Sequence, residues 1–157
     1  MESHELTMTV LMNPDMANFS GKVHGGALLK LLDQVAYACA SRHAASYVVT
    51  VSVDQVVFRQ AIHVGELVTF LASVNHVGSS SMEVGIKVLA ENIQTRETRH
   101  VNSCFFTMVA MDEHGKKRTV PALELLTPDQ HRRRRQAVLR RKLREELEAQ
   151  FASATQS

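Results

Sequence analysis

The chain has 157 residues, 45% of them hydrophobic, and a formal net charge of +2. This length and composition suit one ordinary domain whose core needs neither disulfides nor a structural metal. The near-neutral charge gives no electrostatic reason to expect nucleic acid binding by the whole protein. Residues 1–20 lack a basic start and a continuous apolar run, and no stretch is long enough to span a membrane. We therefore expect a cytoplasmic protein.

The cysteines and histidines do not form the patterns that metal sites usually show. Cys39 and Cys104 both lie in largely apolar segments, which favours reduced packing residues over a disulfide. The eight histidines are scattered without the paired spacing of zinc ligands. The sequence therefore predicts no structural or catalytic metal.

The first predicted elements are a short strand and one long helix. The strand covers 6–12 and ends in the turn-forming residues 13–15. A helix is predicted from Gly25 to about His43, and its apolar spacing indicates burial on nearly every side. The residues that recur there at intervals of three and four are Leu28, Leu29, Leu32, Val35, Ala36, Cys39 and Ala40.

A series of extended segments follows the helix. The first is valine-rich, with Val49, Val51, Val53 and Val57 on one face. Glycine or short polar connections separate the segments, as in antiparallel sheets. One apolar helix with about five strands predicts an α+β fold in which a curved antiparallel sheet wraps the helix. The predicted strands after the helix cover 47–58, 66–76, 81–92 and 99–112.

A second helix is predicted near the carboxyl end, so we divide the chain into a domain at 1–123 and an arginine-rich helical tail at 124–157. Thr127, Pro128 and Gln130 have the pattern of a capping box with a proline at the first position. The basic part of this helix lacks aromatic residues and an acidic turn follows it, which argues against nucleic acid as a partner. We expect the helix to lie on an oligomer through its apolar stripe, which consists of Leu139, Leu143, Leu147 and Phe151.

The segment 18–33 contains the residues best suited to chemistry. Gly25 and Gly26 at a helix start leave backbone N–H groups unshielded, so a carbonyl oxygen can approach the positive end of the helix. This arrangement is a candidate oxyanion site. Asp33 follows Gly26 by nearly two turns and projects from about the same face. An acid in an apolar helix needs a partner or a reaction, and the residues alone leave both explanations open.

This segment resembles the acyl-CoA thioesterases of the hotdog fold through the pattern Asn-x-x-Gly-x-x-His-Gly-Gly-x-x-Leu-Lys-x-x-Asp, which runs from Asn18 to Asp33. The similarity spans about residues 5–121 and includes Val-Gly-Ser-Ser-Ser at 77–81 and Arg-Thr-Val-Pro at 118–121. It looks closest to the branch with the bacterial YciA-like enzymes and the brain-type cytosolic acyl-CoA hydrolases. The resemblance implies hydrolysis of fatty acyl-CoA to a free fatty acid and coenzyme A, with no metal or organic cofactor.

The resemblance also implies an assembly and a set of residue roles. In a dimer two helices would pack together and the sheets would join edge to edge, and dimers would assemble further into a trimer of dimers. Asp33 would activate water as a general base or attack the thioester directly, facing Asn18 of the partner subunit, which would position the water or the carbonyl. The Gly25 and Gly26 amides would stabilise the oxyanion. Neither subunit would work alone.

Several weaker signals surround this segment. His24 could touch the substrate, although a single loop histidine more often makes structural hydrogen bonds. Ser79, Ser80 and Ser81 could bind pantetheine or phosphate, and serines after a glycine are also typical of a hairpin turn.

Candidate cations for the nucleotide phosphates of coenzyme A are Arg59, Lys117 and Arg118, for which solvated charge is the alternative. Two other functions compete with hydrolysis. One is dehydration of a hydroxyacyl thioester, which typically employs a histidine and an acid placed differently. The other is a non-catalytic acyl-CoA sensor, which has no need for Asp33 beside the thioester carbonyl.

Overall fold

A five-stranded antiparallel sheet forms the framework of the computed structural model, in the order β1-β3-β4-β5-β2. The structure describes residues 4–156, so the outer limits of the two predicted segments, at 1 and 157, lie outside the described residues. The predicted α+β class and the number of strands are confirmed. The strands are β1 (Glu5–Leu11), β2 (Tyr47–Asp54), β3 (Leu67–Val77), β4 (Ser81–Glu91) and β5 (Thr98–Met111), and the helices are α1 (Gly25–Ala44) and α2 (Pro128–Thr155).

Helix α1 packs against one face of the sheet, and the core lies between them. Alternate residues of a strand point to opposite faces, so the even-numbered residues of β4 all turn towards α1. Val84 and Leu32 are both 0% exposed there. Both cysteines are free thiols in this core, and burial raises the pKa of Cys39 and of Cys104 to about 12. Neither thiol is therefore ionised at neutral pH.

The burial of α1 on nearly every side was predicted wrongly for the single chain. One face of the helix is covered by the sheet, whereas Leu29, Asp33, Gln34 and Tyr37 are exposed. The sheet curves around one side of the helix only, because five strands do not close into a barrel around it. The open face of α1 is therefore available for contact with another molecule.

Strand β2 is an edge of the sheet and is shorter than predicted. It ends at Asp54 instead of 58, because the next residue, Gln55, has a φ of 59° and breaks the extended conformation. The pairing with β5 shifts register between Thr50 and Ser52, so the valine alternation does not run through the strand. Val51 is 60% exposed on this unpaired edge.

Helix α2 crosses the opposite face of the sheet. The predicted capping box is present, with the Thr127 hydroxyl accepting from the Gln130 amide at 3.1 Å. The helix contacts the sheet through polar side chains, chiefly Arg140, whose guanidinium binds the Glu83 carboxylate at 2.7 Å. Within residues 4–156, neither helix combines the length and apolar character needed to cross a membrane.

Candidate active site

The amino end of α1 is open to solvent, as expected from its two glycines. Gly25 and Gly26 are both exposed, and His24 precedes them as the capping residue. The Gly26 amide donates a hydrogen bond to Nδ1 of His24 at 3.0 Å. His24 therefore has the structural role that the sequence favoured, and it occupies one of the two amides predicted for an oxyanion.

The remaining amides of this first turn are those of Gly25 and Ala27. Neither has an acceptor within hydrogen-bonding distance among residues 4–156. A Cβ on Gly25 would lie 3.6 Å from the Phe58 ring, so this aromatic side chain flanks the approach to the helix end. Together the uncapped amides and the helix dipole can bind a carbonyl oxygen that gains negative charge.

Asp33 lies farther along α1, on the open face of the helix. Its Oδ1 accepts a hydrogen bond of 2.6 Å from the hydroxyl of Thr50 on β2. The same hydroxyl is 3.4 Å from the sulfur of Met108 on β5, which limits its freedom to rotate. The contact fixes one carboxylate oxygen and leaves Oδ2 accessible to a water molecule or a substrate.

Thr50 is a candidate site residue that sequence reasoning missed. It lies in the valine-rich β2 strand, where threonine is an ordinary β-forming residue. The only signal was its polar hydroxyl in a segment where Val48 is 1% exposed and its neighbours are mostly apolar. Its partner lies on α1, so the strand pattern alone could not identify the pair.

Asn18 lies at the base of a small hairpin that precedes α1. Its Oδ1 accepts from the Ser20 hydroxyl at 2.7 Å and from the backbone amides of Ser20 and Lys22 at 2.9 and 3.2 Å. Gly21 allows the turn because its φ is +78°, a conformation that disfavours other residues. The side-chain oxygen is thus used within the loop, and the NH2 group of Asn18 is the end that can act on a ligand.

A partly buried ion pair supports the segment to which this hairpin is bound. Arg99 donates to both carboxylate oxygens of Glu66, at 2.5 and 2.7 Å, and also to the Ala61 carbonyl at 2.6 Å. The hydrogen bonds from Arg99 hold the pKa of Glu66 below its usual range. The adjoining Ile62 carbonyl accepts from the Val23 amide at 2.8 Å, which ties the hairpin to this segment.

The structure brings the predicted serines close to one of the candidate cations. The Ser79 and Ser80 carbonyls accept from the Val120 and Ala110 amides, both at 2.9 Å, and the Ala110 carbonyl accepts from the Arg118 amide at 2.9 Å. Ser81 begins β4 at the same turn. These backbone contacts confirm a hairpin turn and place Arg118 beside it.

Arg59 lies far from the other candidate cations within one chain. Its amide donates to the Val101 carbonyl near the start of β5, whereas Lys117 pairs with Met111 at the end of that strand. The intervening length of β5 is roughly 30 Å. A single chain therefore cannot bring Arg59, Lys117 and Arg118 to one phosphate group.

A curved antiparallel sheet around one long helix, with an acid on the exposed side of that helix, defines a hotdog-fold protein. Residues 20–97 match the family model described as the Thioesterase superfamily. Protein VdlD of Helicobacter pylori strain ATCC 700392 / 26695 is 52% identical over 140 residues, which cover 89% of this chain and 80% of VdlD. The chain belongs to the thioesterase superfamily. It is a thioester hydrolase, because its similar solved structures over nearly the whole chain are acyl-CoA thioesterases and hydrolases.

Solved structures agree over nearly the whole chain. An apo-hexameric acyl-CoA thioesterase is 36% identical, with a TM-score of 0.89 over 92% of this chain and 93% of its own. An acyl-CoA hydrolase from Staphylococcus aureus, solved with butyryl coenzyme A and coenzyme A, is 26% identical, with a TM-score of 0.85 over 99% of this chain and 96% of its own.

The Staphylococcus aureus enzyme has also been solved as three single-alanine variants. They replace an asparagine, an aspartate and a threonine. The replaced residues have the same separations in its sequence as Asn18, Asp33 and Thr50 have in this one.

Proposed function

We propose that the protein hydrolyses the thioester of acyl-coenzyme A to a free fatty acid and coenzyme A. The observation that carries the proposal is the Asp33 carboxylate, held at 2.6 Å by Thr50 on the exposed face of α1. The acyl-CoA hydrolases among the similar structures support the choice of substrate. The proposed reaction uses water and groups of the protein alone. A cytoplasmic location stays a prediction from the sequence.

Asp33 can act in two ways that the geometry allows equally. As a general base, Oδ2 removes a proton from water while the water oxygen attacks the thioester carbonyl carbon. As a nucleophile, Oδ2 attacks that carbon itself, and water then hydrolyses the resulting anhydride. In both cases the carbon–sulfur bond breaks and the thiolate leaves with the electron pair. Thr50 acts as a positioning residue by fixing Oδ1.

Gly25 and Asp33 of one chain lie roughly 12 Å apart along α1, too far to act on the same carbonyl group, so the oxyanion would bind at the amino end of the partner subunit's α1. The Gly25 amide is exposed there and has no acceptor among residues 4–156, whereas the Gly26 amide is shared with His24. A second hydrogen bond from Gly26 to the substrate requires that its bond to His24 lengthen as negative charge develops. We therefore assign the larger part of the stabilisation to Gly25.

Two subunits are proposed to form each site. The hairpin of Asn18 carries Phe19, which is 113% exposed at the tip and would be shielded from water by a partner. The open face of α1 and the unpaired edge of β2 supply a larger apolar surface, which includes Tyr37 and Val51. Edge pairing of β2 with a second β2 would also satisfy its free backbone groups.

We further propose that dimers assemble into a trimer of dimers, and the hexameric relatives support this arrangement. In such an assembly the nucleotide of coenzyme A would contact the turn of Ser79, Ser80 and Ser81 together with Arg118 and Lys117. Arg59 could join this group only from another subunit, because the length of β5 separates it from the other cations within one chain.

The test is thiol release from acyl-CoAs of several chain lengths by the purified protein. We expect turnover by the wild type and a loss of roughly a hundredfold or more in kcat/KM for Asp33→Ala. Thr50→Val should lose roughly tenfold, because the carboxylate remains but is no longer oriented. Asp129→Ala removes an exposed aspartate on α2 and serves as the matched control.

Two outcomes would overturn the proposal. Turnover by Asp33→Ala equal to that of wild type would show that another group carries the reaction. Absence of turnover with every acyl-CoA, while binding persists, would favour the non-catalytic sensor.

A further inference from the structure

The large apolar side chains in the second half of α2 are exposed instead of packed on the sheet. Ala137 is 2% exposed against the sheet, whereas Leu139, Leu143 and Leu147 are 54%, 52% and 51% exposed and Phe151 is 65% exposed. The helix thus packs on its own chain by the side that carries Gln130, Ala137 and Arg140, and it leaves its apolar stripe uncovered. Such a continuous apolar stripe on an otherwise charged helix indicates a surface for another helix.

The path of α2 leads across the seam of the proposed dimer. The helix starts beside His4 and Glu5 at the β1 edge, passes over Glu83 on β4, and reaches Asp54 on β2 through Arg144 at 2.6 Å. The segment 145–155 continues beyond this contact by roughly 16 Å. If two copies pair along β2, the ends of their α2 helices project over one another.

The charges on α2 suit a second copy in the antiparallel direction. Positive residues occupy 132–135, 140–142 and 144, and negative residues follow directly at 145, 146 and 148. If a two-fold axis near residue 145 relates two antiparallel α2 helices, Leu143 lies opposite Leu147 of the partner subunit. Lys142 then lies beside Glu146 of the partner subunit. Lys142 and Glu146 share the flank of the stripe that faces away from the sheet, and both are exposed.

We propose that two copies of this chain pair their α2 helices antiparallel, stripe against stripe, across the seam where their β2 strands meet. The inference rests on the β2 pairing in the proposed function and extends it to a second interface. It assigns the carboxyl-terminal helix to assembly and not to nucleic acid. A parallel pair would set like charges against each other, which opposes that direction.

The apolar area of the stripe is too small to hold two subunits together without a further interface. Each of the four apolar side chains offers roughly 100 Å², so two copies would bury roughly 800 Å². A stable interface usually buries about 1,200 Å² or more. The α2 pair therefore reinforces the β2 seam and does not replace it.

Cysteine cross-linking tests both the contact and its direction. We would prepare Leu143→Cys and Leu147→Cys with different tags, coexpress them, and oxidise the assembled protein mildly. The native Cys39 and Cys104 are 1% and 0% exposed, so they do not compete. We expect the mixed cross-link to exceed either like-with-like cross-link by roughly tenfold, because antiparallel pairing brings residue 143 next to residue 147. Both substitutions are at exposed positions, so folding should persist.

Charge exchange provides an independent measurement. Lys142→Glu and Glu146→Lys should each weaken the dimer severalfold in dilution experiments, and the double exchange should restore wild-type affinity. Helix content by circular dichroism controls for effects within one helix. Cross-links only between identical variants, or no cross-link in a protein that is dimeric by light scattering, would overturn the α2 pairing. A monomeric wild type would overturn the β2 dimer itself, so the two failures are distinguishable.

Discussion

Helices α1 and α2 lie on opposite faces of one sheet and use their side chains in opposite ways. Helix α1 buries its apolar residues against the sheet and exposes the polar Asp33, whereas α2 contacts the sheet with Arg140 and exposes its leucines. The comparison shows that the side of a helix that faces away from the sheet is as informative as the side that packs on it. Asp33 is a candidate for chemistry because Thr50 fixes its carboxylate on the exposed face of α1, whereas the exposed apolar stripe on α2 indicates association.

The largest expected loss of stability comes from breaking the ion pair that joins α2 to the sheet. Arg140 and Glu83 have side chains that are 14% and 9% exposed, and the Arg140 guanidinium lies 3.5 Å from the centre of the Phe105 ring. Arg140→Met leaves the Glu83 charge buried without its partner and should lower the free energy of unfolding by about 3–5 kcal/mol. Denaturant unfolding measures this loss.

The matched control for that prediction is the neighbouring arginine. Arg141 forms a surface pair with Glu145, with side chains that are 48% and 65% exposed. Arg141→Met should therefore change stability by only about 0–1 kcal/mol. Equal losses from Arg140→Met and Arg141→Met would contradict the view that α2 is anchored by a buried ion pair.

The next prediction compares the loss of stability when one leucine of each helix is replaced by alanine. Leu32 on α1 is 0% exposed, and Leu143 on α2 is 52% exposed. Leu32→Ala creates a cavity and should destabilise the fold by about 2–5 kcal/mol, whereas Leu143→Ala should change stability within about 0.5 kcal/mol. Thermal unfolding of protein diluted to the monomer separates the two, because the α2 stripe of the partner subunit then makes no contribution. A large loss from Leu143→Ala would show that the stripe packs on its own chain.

The smallest effect concerns the cap of α1. His24→Ala removes the acceptor of the Gly26 amide, which is bonded at 3.0 Å. The loss should be about 1 kcal/mol of stability, similar to the removal of Thr127, which caps α2. Thiol release should fall less than in Asp33→Ala. A loss of turnover as large as that of Asp33→Ala would instead give His24 a direct part in the reaction.

The sequence predicted those parts of the fold in which local pattern and final environment agree. The intervals of three and four residues located α1, and turn residues located the strands to within a few positions. The end of β2 was missed because Gln55 takes a left-handed conformation, which its residue type does not indicate. The burial of α1 was overestimated because Leu29 belongs to the apolar pattern but lies on a face that the single chain leaves open.

The candidate site was predicted in part for a similar reason. Asp33 and Gly25 belong to one continuous segment, so their spacing on a helix follows from the sequence. Thr50 is joined to Asp33 only by the packing of β2 against α1, which no local pattern contains. The grouping of Arg59 with Arg118 also depended on tertiary distance, and β5 separates the two residues.

Mixed dimers test most directly whether the site is shared between subunits. Asp33→Ala and Asn18→Ala would be purified separately, shown to be nearly inactive, then combined and allowed to exchange subunits. If Asp33 of one subunit works with Asn18 of the partner subunit, each mixed dimer regains one intact site, and random mixing restores about a quarter of wild-type thiol release. No recovery, although mixed dimers form, would show that each site lies within one chain and would contradict the account.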